Sequence, residues 1–301
     1  MPPFLLIALS TLAAVLVGAA FLHLIPRLGS PGKALAAWLC RAPGLDVVIT
    51  SFTVAPMVLG PVFGVRLLTA SPDLTAALTT DPASTSTSPA SPWLAALLGF
   101  IAAVVGQVVG VCVWTVLHEL ANRKHCKGPR IVHVLNRKVG RLRNHSAVWW
   151  TALAVPLFWF VRLSQYIVYP PLTWLIRLPK YNAAEWVNVS RQKFDGLVGH
   201  DLIWCLYCDW MTGVWSLGGE MLRNVETFWC PIRFDSAKKC DNCRHDFPDV
   251  ADRWVPSDSD MAEVVRRLDD NFPGPGGDNS WWGHPARLSV SAPKKEESAD
   301  E

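Results

Sequence analysis

Charge is scarce in this sequence. Asp, Glu, Lys and Arg make up 18% of its 301 residues, where a soluble domain carries about a quarter. The net charge of +3 is too small to point to a nucleic-acid partner, and none is expected. There is no internal repeat, no Gly-rich loop of the kind that cradles phosphate, and no Ser-His-Asp set. Solenoid architectures, nucleotide-binding loops and triad hydrolysis therefore have no carrier here. No catalytic acid–base pair or nucleophile stands out, and the reading leans away from an enzyme.

Apolar surface and tryptophan are abundant instead. Half of the residues are hydrophobic and fifteen are Trp. Trp is favoured at membrane–water interfaces, because its ring is apolar and its N–H is polar. A helix needs roughly 20 apolar residues to cross a hydrocarbon core of about 30 Å. Three stretches meet that length: residues 3–25, 47–68 (interrupted by Pro56 and Pro61) and 93–117. The first lacks a basic start and is longer than a signal-peptide core, so a retained helix is expected. A fourth, aromatic-rich stretch covers 147–176. Pro156 bends it, Arg162 sits in its middle, and Pro170-Pro171 stops it. It can cross once from Ala147 to Tyr169, dip in and return, or lie along the surface.

Basic residues orient the spans. The loop 69–92 has no Lys or Arg, whereas 118–146 has eight. The second loop is therefore expected in the cytoplasm against anionic headgroups, with 69–92 and the N-terminus outside. Arg177, Lys180, Arg191 and Lys193 follow the fourth stretch, and basic flanks on both sides favour a segment that enters and returns. Within the spans, Ala102, Gly106 and Gly110 repeat every four residues, as do Gly60 and Gly64. Such spacing lets helices approach closely, within one chain or in a homo-oligomer. Gln107 and His23, polar groups in apolar helices, each read as one interhelical hydrogen bond or as part of a polar pathway.

"HELANRKH" (118–125) begins like a zinc-protease helix, but Asn122 stands where the second His belongs. His118 and His125, two turns apart on a continuous helix, would be about 10 Å apart along its axis, so one ion cannot take both.

The remaining chemistry lies in cysteines. "GHDLIWCLYCDWMTG" (199–213) carries Cys205 and Cys208; "WCPIRFDSAKKCDNCRH" (229–245) adds Cys230, Cys240 and Cys243. Residues 183–229 read as two or three helices. If 198–211 is helical, Asp201, Cys205, Cys208 and Asp209 lie toward one face. A C-x-x-C turn lets two thiolates share one ion, and pairing Cys205/Cys208 with Cys240/Cys243 gives a four-thiolate set of zinc-ribbon kind with a long gap. Cys230 is a fifth candidate ligand, and His200 and His245 are possible substitutes. Zinc is the expected ion; iron or an iron–sulfur cluster is the alternative. A cytoplasmic position disfavours stable disulfides. A redox role for Cys205/Cys208 is opposed by nearby carboxylates, which raise a thiol's pKa.

The C-terminal stretch holds a short amphipathic helix near 257–270, capped from Ser257–Ser259, with Val264, Val265 and Leu268 on its apolar face. Residues 271–301 are rich in Gly, Pro, Ser and charge and are expected to be disordered. The expected fold class is an all-α integral membrane protein of three to four transmembrane or embedded helices (1–177) with a small helix-rich cysteine domain and a CxxC knuckle (178–270). It is expected in a cell membrane of bacterial kind, with the cysteine domain cytoplasmic. The expected role is an interaction or assembly module built on a structural metal. The alternatives are a membrane redox or electron-transfer protein, and a metal-dependent membrane enzyme using His200, Asp201 and Asp209.

Overall fold

A computed structural model describes residues 1–69, 91–125, 129–229, 255 and 259–271. Among them the chain is mostly helical and has no strand; Arg41 and Asn188 form an isolated bridge. The helices are α1 (Pro3–Leu24), α2 (Gly29–Leu39), α3 (Gly44–Ile49), α4 (Ala55–Thr69), α5 (Pro92–Ala121), α6 (Ile131–Val139), α7 (Arg141–Ala152), α8 (Val155–Ile167), α9 (Tyr169–Leu175), α10 (Ala183–Trp186), α11 (Gly199–Trp229) and α12 (Met261–Asn271). Four stretches are long and apolar enough to cross a membrane: Pro3–Arg27, Gly44–Leu67, Pro92–Ala121 and Arg141–Leu175. The chain divides into two compact units, Met1–Pro156 with Asn188–Trp210, and Leu157–Val187 with Met211–Glu301.

In the first unit, α1 and α4 both pack on α5, and small residues make this possible. Gly60 and Gly64 meet Gly99, Ala95 and Ala103, while Gly106 lies against the Ala8 carbonyl. A Cβ on Gly99 would run into the Gly60 carbonyl, and one on Gly106 into that of Ala8. The four-residue glycine spacing thus serves packing within the chain. The large apolar side chains point the other way: Leu5, Leu9, Val17, Phe21, Val58, Phe63, Phe100, Val105, Val109 and Val116 are exposed, while Ala95, Ala102 and Ala103 are buried. Small residues inside and large apolar ones outside is the reverse of a water-soluble bundle, and it is the arrangement for a surface facing lipid.

The second stretch stays helical through both prolines by a local change of pitch. Residues Thr50–Val54 form a π-turn between α3 and α4, and Pro61 lies within α4. Pro56 has no N–H to offer the Phe52 carbonyl four residues earlier. Gln107 supplies one, donating from Nε2 to that carbonyl. This is the single interhelical hydrogen bond read for Gln107. Gln107→Leu is expected to cost about 1 kcal/mol, and less in a Pro56→Ala background, where the backbone can serve itself. Thermal unfolding of the two single variants and the double variant in detergent tests the coupling.

Pro156 also acts at a distance of a few residues. Helix α7 ends at Ala152, and tight bonds from the Leu153 N–H to Trp150 and from the Ala154 N–H to Thr151 close a turn before α8 begins. The fourth stretch is therefore three helices in series.

In the second unit, α8 turns its polar groups inward. Arg162 and Gln165 are buried. Arg162 donates to Gln165 Oε1 at 2.6 Å and to the Tyr166 hydroxyl at 2.7 Å, and Gln165 Nε2 donates to the Val214 carbonyl of α11 at 2.8 Å. The apolar face carrying Leu157, Phe160 and Ile167 is exposed. Tyr169 and Leu178 form a core with Leu172, Tyr181, Met221, Val225 and Leu268. Glu220, fully buried, accepts from the Tyr181 hydroxyl at 3.2 Å, and Asn224 donates to that hydroxyl.

Residues 183–229 hold two short turns, Ala183–Trp186 and Arg191–Lys193, and one 31-residue helix, in line with the two or three helices expected there. Gly213 does not end α11; its bare Cα lets the Trp186 carbonyl approach, and Gly218 does the same for Val161 and Gln165. The cap of α12 comes from Asp260, whose Oδ1 accepts from the Glu263 N–H at 3.0 Å, in place of Ser257–Ser259. Val264 is buried and Val265 exposed. The tail from 272 onward lies outside the described residues.

Candidate functional site

Cys205 and Cys208 sit one turn apart on α11, both half-buried and neither in a disulfide. Facing them is Arg191, from the short turn Arg191–Lys193. Hydrogen bonding to the Cys208 sulfur, and then the charge of Asp209, hold the guanidinium above its ordinary value, with Cys205 adding to the effect. Asp209 fixes the arginine: Arg191 Nε lies 2.8 Å from Oδ1, and Oδ2 accepts from the Ser190 and Arg191 backbone N–H groups at 3.1 and 3.2 Å. Burial pushes the Cys205 thiol up, and Arg191 opposes that shift. Burial, more than the neighbouring carboxylates, is what raises it.

His200 and Asp201, one to two turns earlier, belong to a different construction. Asp201 is buried and accepts from the Ile131 and Val132 N–H groups at 3.0 and 3.1 Å. It thereby caps α6 from another part of the chain, because a helix start leaves four amides without intrahelical partners. Glu119 does the same for α11, accepting from the His200 N–H at 3.1 Å, and His118 Nδ1 accepts from the Gly199 N–H at 3.0 Å. Arg130 lies between the two acids, with Nη2 2.6 Å from Glu119 and Nε 3.6 Å from Asp201. Burial alone would raise the Asp201 carboxyl; His200, the Val132 amide and the Arg130 charge outweigh it and hold the group below its usual range. Gly199 adopts φ +53°, and a Cβ there would strike the Glu119 side chain. "HE" (118–119) and "GHD" (199–201) thus lock three helix ends together.

This lock has no signature in the sequence, because its parts are 11 to 82 residues apart. It also disposes of the protease resemblance. Helix α5 ends at Ala121, with the Asn122 N–H and side chain both returned to the His118 carbonyl, and Glu119 is engaged in capping. The His200 ring packs edge-on against His145, centroids 5.1 Å apart. His23 stacks on His118 at 5.3 Å.

Among the described residues, no three His, Cys, Asp or Glu side chains come together as metal ligands. Cys230, Cys240, Cys243 and His245 lie outside the described residues. Of the candidate ligands, Cys205 and Cys208 are together and His200 is part of the lock. No family model, curated protein or solved structure matches the chain.

Proposed function

We propose that this is an integral membrane protein whose α11 thiol pair, completed by Cys240 and Cys243, holds a structural zinc ion on the cytoplasmic side, and that the module so formed serves interaction or assembly at the membrane. The observation that carries the reading is the shared, partly accessible position of Cys205 and Cys208 beside a cation. Thiolate–metal sites are commonly supported by N–H donors to sulfur, and Arg191 is such a donor. The carboxylates argue in the same direction. Asp201 and Asp209 are committed to backbone amides and arginines, which removes the acids that a carboxylate-bound catalytic metal would use. A thiol raised by burial is a poor nucleophile, which weighs against a redox dithiol. The bilayer is the partner supported by the inverted packing of α1, α4 and α5.

Metal content of variants tests the site. Cys205→Ser, Cys208→Ser, Cys240→Ser and Cys243→Ser, each in the full chain, are expected to lose bound zinc, because removing one of four ligands costs most of the affinity. Asp209→Ala is expected to retain it. Full zinc retention in any of the four serine variants would contradict the assignment of that cysteine.

A further inference from the structure

Helix α6 is amphipathic in an unusual place. Ile131, Leu135 and Val139 recur every four residues, hence along one stripe, and all three are exposed; Leu142, just beyond, is 81% exposed. Beside them are Arg137, Lys138, Arg141 and Arg143, also exposed. No carboxylate pairs with these four among the described residues, and the sequence holds no Asp or Glu between Glu119 and Glu185.

The segment is held from both ends. Asp201 takes the first two α6 amides, Ile131 and Val132. At the other end Gly140 turns the chain at φ +91°, a conformation open to glycine, and Asn144 donates to Asn136 across the bend at 3.0 Å. The chain then enters the apolar stretch Arg141–Leu175. A fixed elbow at the mouth of such a stretch, with bare aliphatic side chains and cations of one sign, fits an anionic bilayer surface. Aliphatic groups seat at the acyl boundary while the long basic side chains reach phosphate. A protein partner would have to cover four like charges, while a leaflet of anionic lipid answers both features at once.

We infer that residues 131–143 form an interfacial elbow that binds anionic phospholipid, with Arg137, Lys138, Arg141 and Arg143 on the headgroups and Ile131, Leu135, Val139 and Leu142 at the acyl boundary. The inference rests on the membrane reading above. Each cation near such a surface is worth roughly fivefold in binding, so the four together dominate.

The test is hydrogen exchange of the intact protein in lipid nanodiscs of zwitterionic phosphatidylcholine, or of phosphatidylcholine mixed with phosphatidylglycerol. Residues 131–143 are expected to exchange severalfold more slowly in the anionic discs. High salt and the variant R137Q/K138Q/R141Q/R143Q should each abolish the difference, with α5 protection unchanged as evidence that the fold persists. Leu142→Glu should weaken it. Equal exchange in both discs, or protection that survives the four substitutions, would overturn the inference and leave the membrane reading standing. The same protection from inorganic phosphate in zwitterionic discs would also overturn it, in favour of a simple anion site. A chain that fails to enter nanodiscs and is released from membranes by alkaline carbonate would overturn both.

Discussion

Asp201→Ala is expected to lower stability by about 3 kcal/mol. The change strands two α6 amides and takes from Arg130 one of its two carboxylate partners, in a position where water can do little to replace it. Asp209→Ala removes a group whose partners are exposed and is expected to cost about 1 kcal/mol or less. Asp201→Asn should fall between, because the amide keeps an acceptor and loses the charge. The contribution also has a pH signature. The folded Asp201 carboxyl lies below its ordinary value of 3.8, so its stabilisation is complete above that value and is lost as pH falls through the lower, folded one. Melting in detergent from neutral pH down to the acid limit should show the wild type approaching the Asp201→Ala variant only at the acidic end. Equal stability of Asp201→Ala and the wild type near neutrality would remove the lock from the account.

The second large effect is in the helix packing. On an open helix surface, Gly→Ala stabilises by about 0.5–1 kcal/mol through backbone entropy. Gly219 in α11 has nothing within contact of an added Cβ, and Gly219→Ala is expected to follow that rule. At Gly99 the same methyl would meet the Gly60 backbone, and its neighbour there is a carbonyl that cannot rotate away. The steric cost exceeds the propensity gain, so Gly99→Ala should destabilise. Gly99→Leu should cost about 3 kcal/mol or more, since α4 and α5 must separate. Opposite signs at Gly219 and Gly99, read by thermal unfolding, are the expected result. A stabilising Gly99→Ala would mean that α4 and α5 are not in backbone contact.

The membrane stretches were legible because length and hydropathy are local properties. Residues 3–25, 47–68 and 93–117 correspond closely to three of the four long apolar stretches, and the small-residue spacing of 60/64 and 102/106 carried the packing. Pro56 and Gln107 were each visible, but nothing in the sequence pairs a missing donor at 56 with a donor at 107. Gly213 gave no sign in the sequence of its role, which is to be small so that the Trp186 backbone can approach. The Glu119–Arg130–Asp201 lock was illegible because an ion pair across 11 residues and caps across 70 and 81 residues leave no periodic trace. Cys205 and Cys208 could be found from their spacing, whereas nothing in the sequence pointed to Arg191 as the cation that acts on them.

The proposed zinc ion on Cys205, Cys208, Cys240 and Cys243 is tested most directly by elemental analysis of the full chain, purified in detergent under reducing conditions, with a visible spectrum of the same sample. About one zinc per chain and no visible absorption is the expected result, four thiolates making one tetrahedral site. Iron with visible bands, or a folded chain with no bound metal, would contradict it.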